Sequence, residues 1–201
     1  MKNNQVKTIS AGDDRFSPKI HERFQALGVE EIKGIGNEAL LFQNTLGILC
    51  SVRCPGSIIL KTYDFVKKYR DTETVFVSGF HSPMERECLN ILSRGRGKAV
   101  WCVPRGIERF RLPKAFETSI QEGRLVVTSV FHSTIRRPTQ ESSMRRNMFV
   151  AAISDEILLP FVSDQGKLFS FISNLIGNGH LVKTFNDRNC EHLIRKGVLP
   201  L

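Results

Sequence analysis

From residue 46 to residue 184 the chain alternates short apolar runs with amphipathic stretches of ten to fifteen residues, and no other feature restricts the fold as strongly. Residues 46–52 read as a buried strand. Pro55-Gly56 then opens a helical pattern through Ile58, Ile59, Thr62, Tyr63 and Val66 that runs to about Arg70. Residues 74–78 repeat the strand and 83–93 the helix, with Pro83 suited to a first helical turn, where a missing N–H costs nothing. Strand 98–103, helix 113–121 and strand 124–129 continue the series. The spacing then predicts a helix over 142–153, a strand over 156–161, a helix over 167–176, a short strand over 181–184 and a last helix over 188–195. Strands separated by helices of this length cannot pair as hairpins. They imply right-handed crossovers and a parallel sheet covered by helices on both faces.

The expected fold class is therefore α/β, a doubly wound, Rossmann-like, mostly parallel sheet. At 201 residues the chain suits one core rather than two. Its first 40 residues are mixed and polar, except for 18–27, where Ile20, Phe24 and Leu27 recur at helical spacing. They read as an appendage of one short helix and a linker, residues 1–40, beside a main domain of residues 41–201. The longest apolar runs, such as 156–162, fall far short of a bilayer span, and the Met1-Lys-Asn-Asn start has no signal-peptide core, so a cytoplasmic protein without membrane contact is expected. Five cysteines, at 50, 54, 88, 102 and 190, are odd in number and scattered, which is no disulfide framework. Cys50 and Cys54 have the spacing of a metal half-site, but no second pair follows, and buried structural thiols are the simpler reading. No cofactor is expected, nor a divalent metal, because the carboxylates do not gather near the loops considered next.

The net charge is +9, and its distribution says more than its size. Residues 94–146 hold twelve Lys and Arg against four acids, so nearly the whole excess lies in a quarter of the chain and favours a polyanionic partner. In a parallel sheet ligands bind beyond the carboxyl ends of the strands. Four loops fall there. In Cys50-Ser-Val-Arg-Cys-Pro-Gly56, Ser51 and Arg53 stand before a helix start as donors for phosphate. In Ser78-Gly-Phe-His-Ser-Pro-Met-Glu85, Gly79 allows close approach of a backbone, His81 stands at the mouth as a ligand contact, and Ser78 and Phe80 flank them; Ser82 and Glu85 form a capping box. Arg136-Arg137 and then Arg145-Arg146-Asn147 suit phosphate or base-edge hydrogen bonding, or else form a solvated helix turn. In Ser163-Asp-Gln-Gly-Lys167, Gly166 and Lys167 close over an anion.

In order and spacing these segments resemble the DNA-processing protein A (DprA/Smf) family, within the superfamily that includes the LOG-type nucleotide phosphoribohydrolases. The likeness spans about residues 45–185. Gly47-Ile-Leu-Cys-Ser-Val-Arg53 is similar to the family's strand ending in Gly-Ser-Arg, and Val77-Ser-Gly-Phe80 to its Val-Ser-Gly-Leu. Arg145-Arg-Asn147 before Phe149-Val-Ala-Ala-Ile-Ser-Asp155 is similar to its Arg-Arg-Asn, apolar run and serine. The chain departs from the pattern at Cys50, Val52 and Met148, and at His81-Ser-Pro-Met-Glu85, where the family has Ala-Arg-Gly-Ile-Asp. The resemblance implies a non-catalytic, single-stranded DNA-binding protein of DNA recombination that assists a RecA-type recombinase.

A second class stays open: a small-nucleotide sensor or a LOG-like phosphoribohydrolase, since a mononucleotide offers the same phosphates. The phosphoribohydrolases carry Pro-Gly-Gly-x-Gly-Thr followed by Glu, and Ser163-Asp-Gln-Gly-Lys167 has neither. Phe80, Trp101 and Phe110 either stack a base or belong to the core. A homodimer is compatible with either class.

Overall fold

In the computed structural model, which describes residues 5–201, nine strands join one sheet. They are β1 (Lys7–Ser10), β2 (Glu31–Gly36), β3 (Thr45–Ile48), β4 (Val75–Ser78), β5 (Lys98–Cys102), β6 (Leu125–Ser129), β7 (Glu156–Leu158), β8 (Leu181–Thr184) and β9 (Leu199–Pro200). Their spatial order is β1-β2-β6-β5-β4-β3-β7-β8-β9. From β6 to β9 every pair is parallel, and only β1–β2 and β2–β6 are antiparallel. The helices are α1 (Pro18–Leu27), α2 (Gly56–Tyr69), α3 (Pro83–Ser93), α4 (Glu117–Gln121), α5 (Gln140–Ala152), α6 (Lys167–Gly177) and α7 (Glu191–Ile194), with 3₁₀ turns at Glu38–Phe42, Lys114–Phe116 and Arg188–Cys190. This is the doubly wound α/β sheet that the alternation implies. Met1 to Asn4, on which the reading of the chain's start rests, lie outside the described residues.

The order of the strands carries a functional consequence. From β3 the chain steps outward through β4 and β5 to β6, returns across the sheet by α5 to β7, and then steps the opposite way to β8 and β9. Because crossovers are right-handed, reversing direction moves the connecting helices to the other face. The reversal falls between β3 and β7, and a crevice opens at such a switch point, beyond the carboxyl ends of the two strands.

Local sequence explains where the helices start. Ser17 caps α1, Ser82 closes a capping box with Glu85 on α3, and Thr139 closes another with Ser142 on α5. In contrast, α2 follows Pro55 and α6 follows Gly166, and neither helix has a side-chain cap. Helices α2 and α3 pack together on one side. Helix α1 lies against α5, where Phe24 stacks on Phe149 with ring centroids 6.1 Å apart. Strands β4 and β6 are buried along their whole length, as parallel strands covered on both faces must be.

Three strands were not expected from the sequence: β1, β2 and β9. Each is short or glycine-broken and sits at or near a sheet edge, so it lacks the apolar run by which a buried strand is recognised. Gly36 shows why β2 tolerates its glycines. It has φ +111°, and a methyl group there would overlap the Leu125 carbonyl oxygen of the neighbouring strand.

Two residues of this framework lend themselves to measurement. Ser82→Ala removes the acceptor of the Glu85 N–H and should lower stability by about 1 kcal/mol, read as a lower urea midpoint. An unchanged midpoint would mean that the cap contributes nothing. The second is His180, whose pKa is held down to about 4 by burial and then by Arg23 and Lys19 nearby. The ordinary value is 6.5, so as pH falls the unfolded chain takes up this proton before the folded chain does. The stability contributed by the neutral ring is complete above pH 6.5 and is lost progressively between pH 6.5 and 4. His180→Gln should flatten the pH dependence of the urea midpoint across that window, and a slope equal to that of the unaltered protein would refute the assignment.

Candidate functional site

Three of the four loops singled out in the sequence, those after β3, β4 and β7, are joined at the carboxyl edge, and a buried carboxylate ties two of them together. Glu85, only 5 % exposed, accepts hydrogen bonds from the backbone N–H of Cys50 (3.0 Å), His81 (2.9 Å) and Ser82 (3.1 Å). The capping box explains the Ser82 contact; the Cys50 contact reaches across to the loop after β3. Charge-assisted bonds of this kind are roughly twice as strong as neutral ones, so the loops after β3 and β4 are held at a fixed separation. The loop after β7 is joined by a further bond, in which the Ser163 N–H donates to Ser51 Oγ at 3.0 Å. This bond spans the switch point between β3 and β7.

Gly79, at the end of β4, lies directly beneath the guanidinium of Arg146 from α5. A methyl group on Gly79 would overlap that guanidinium, so the space the glycine leaves is taken by Arg146 rather than by a ligand backbone. Arg146 is 5 % exposed, and its Nε and Nη1 find no acceptor among the described residues. Burial lowers its pKa, an effect opposed by the charge of Glu85. Arg146 is therefore no solvated helix turn. A buried guanidinium with unused donors is costly, and a fold tolerates it where an anionic acceptor completes it.

Other expected residues divide into those at the mouth and those turned away. Arg53, His81 and Lys167 are exposed around the crevice, and Asn147 is half-buried one residue beyond Arg146. Gly166 N-caps α6 beside Ser51, so the uncapped amides of α2 and α6 flank the same crevice, where the helix dipoles favour negative charge. Ser78 is fully buried and its Oγ accepts from the Phe80 N–H at 3.2 Å, so its hydroxyl shapes the turn instead of facing a ligand. Phe80, 2 % exposed, packs edge-on to Trp101, which in turn packs edge-on to Phe110; all three belong to the core side of the alternative drawn from the sequence. Arg145 points elsewhere. Its Nη2 donates to the Gly28 carbonyl at the end of α1, at 3.4 Å, since adjacent residues on a helix face about 100° apart.

The two cysteines of the first loop also have a structural account. The neighbouring Cys54 side chain and burial raise Cys50 well above the thiol range, while the Cys50 side chain lowers Cys54 against the opposing effect of burial. Among the described residues no three His, Cys, Asp or Glu side chains are grouped to hold a metal ion.

Sequence reasoning missed a second cationic feature on the same edge. The loops after β5 and β6 enclose a pocket of about 330 Å³ into which Arg105, Arg109 and Arg136 converge. The charge excess over 94–146 was the signal, but it did not say which of twelve cations would meet.

No protein-family model matches the sequence, and no curated protein matches it. Solved structures do match. DNA processing protein A (DprA) from Streptococcus pneumoniae is similar over 99 % of this chain and 72 % of its own, with a TM-score of 0.80 and 17 % identity. DNA processing protein A from Helicobacter pylori, whose structure is described for its single-stranded DNA binding mode, is similar over 96 % of this chain and 88 % of its own, with a TM-score of 0.70 and 18 % identity. The Rossmann-like α/β fold of this chain is thus the one found in the DprA proteins.

Proposed function

We propose that the protein binds single-stranded DNA through its phosphates at the carboxyl edge of the sheet, as a non-catalytic component of DNA processing. The observation that carries this reading is Arg146, buried with unused donors over Gly79 at the carboxyl end of β4, next to β3 of the switch point. Around it stand two uncapped helix N-termini and the exposed donors Arg53, His81 and Lys167. Arg53, Lys167 and the two helix ends are donors, and the buried carboxylate Glu85 is already engaged by three amides. A site dominated by donors suits holding phosphates. The Helicobacter pylori protein, described as binding single-stranded DNA, supports the same ligand. A mononucleotide site is the second reading, and salt dependence separates the two.

Arg146→Met should weaken binding of single-stranded DNA about tenfold or more and flatten the slope of log affinity against log salt by about 0.7, the value for one phosphate no longer neutralised. Arg145→Ala should leave both unchanged, because Arg145 serves the end of α1. The thermal midpoint of Arg146→Met should hold or rise. A buried charge without acceptors is removed, while Glu85 stays bonded to three amides. Gly79→Ala displaces the guanidinium and should reproduce the weaker binding. If Arg146→Met lowers the midpoint by several degrees and leaves DNA affinity intact, the arginine is structural and the reading fails. Loss of mononucleotide affinity without a change in salt slope would favour the second reading.

A further inference from the structure

The two loops that line the pocket, after β5 and β6, are tied to each other. Gly106 N–H donates to the Ile135 carbonyl at 2.9 Å, Ser129 Oγ donates to the Arg105 carbonyl at 2.7 Å, and a methyl group on Gly106 would press on Ser133 Cα. The two loops are therefore in backbone contact. Arg105, half-buried with its guanidinium 5.9 Å from the Phe110 ring, is the innermost cation; Arg109 and Arg136 are exposed at the rim. Among the described residues none of the three forms an ion pair. The one carboxylate on the wall, Glu108, is bonded instead to Lys33 at 2.9 Å. At about 330 Å³ the space lies at the lower end of ordinary small-ligand sites, which run from roughly 300 Å³.

We propose that this pocket binds a terminal phosphate monoester carried on a nucleotide, with a strand end in the neighbouring crevice as its source. Charge and oxygen count separate a monoester from the phosphodiesters of a strand passing through. A monoester presents three terminal oxygens and carries close to two negative charges at neutral pH, whereas a diester presents two and carries one, and three guanidinium forks match the former. Position agrees with a strand-end source. Strand β5 is the neighbour of β4, and Trp101 Nε1 donates to the Gly79 carbonyl at 3.0 Å, so pocket and crevice lie side by side on one edge. Parallel strands are about 4.8 Å apart, which puts the pocket on the order of 10 Å from Gly79, a distance of one or two nucleotides. In this form the inference rests on the single-stranded DNA reading of the crevice.

The test is a fluorescence titration with one oligonucleotide sequence bearing a 5′-phosphate, a 3′-phosphate or hydroxyl ends only, together with dAMP and inorganic phosphate as competitors. One phosphorylated end should bind about tenfold tighter than the hydroxyl-ended strand. In Arg109→Ala/Arg136→Ala, both at exposed positions, that ratio should fall to about one, whatever affinity is lost by the phosphorylated and hydroxyl-ended strands alike. Saturable dAMP binding that the double variant abolishes, without any end preference, would keep the monoester site and make the free nucleotide its source. Equal binding of all three strands, with no dAMP binding sensitive to the double variant, overturns the proposal while leaving DNA binding in the crevice intact. Failure of the hydroxyl-ended strand to bind at all counts against the DNA reading instead, and the dAMP arm then decides the pocket alone.

Discussion

A single carboxylate sets the geometry on which the crevice depends. Glu85 is enclosed in the first turn of α3, where a bare charge would be expensive, and three backbone amides satisfy it. Two of those amides come from the turn that precedes α3, and the third comes from Cys50 at the end of β3, so the interaction is a cap and a cross-link at once. The turn itself is bent to make this possible. Phe80 has φ +45°, the one non-glycine residue with positive φ among those described, and the Ser78 hydroxyl accepts its N–H. A left-handed phenylalanine costs energy and persists where its surroundings over-determine it. Here the ring is wedged edge-on against Trp101, and the amides that follow are fixed on Glu85.

Around that clamp the helices divide by how they begin. The N-termini of α1, α3 and α5 are closed by their own serine or threonine, which leaves little for an external anion. The N-termini of α2 and α6 are open, and these two helices follow β3 and β7, the strands on either side of the switch point. Unfilled donors, a buried arginine and open helix ends are all local costs. At the carboxyl edge Arg146 and the open ends of α2 and α6 share one side of the sheet, as a site shaped for a negatively charged ligand requires.

Much of this was legible in the residues, for reasons that are local. The helix Pro83–Ser93 and the strand Leu181–Thr184 have the boundaries their patterns imply, because a proline at the first turn, a capping box and an apolar run act within a few residues of themselves. The edge strands were not legible. Glu31–Gly36 carries two glycines in six residues and becomes a strand through its pairing with β6, a partner some ninety residues further along the chain. Arg145 and Arg146 were indistinguishable as neighbours in the sequence. The phase of α5 against the sheet separates them, sending one to the end of α1 and the other over Gly79.

By itself the sequence determined the fold class, the loops that would lie at the carboxyl edge and the sign of the charge gathered there. Periodicity, turn chemistry and composition are written residue by residue and need no knowledge of what lies across the sheet. Only the tertiary structure decided the strand order, and with it the switch point that sets Ser51 beside Ser163. It also decided which arginine is buried, which arginines converge in a second pocket, and that Glu85 reaches beyond its own helix to Cys50. Each of these joins segments tens of residues apart. Such contacts follow from how the crossovers close upon one another, and a pattern confined to a short window of chain carries no record of that closure.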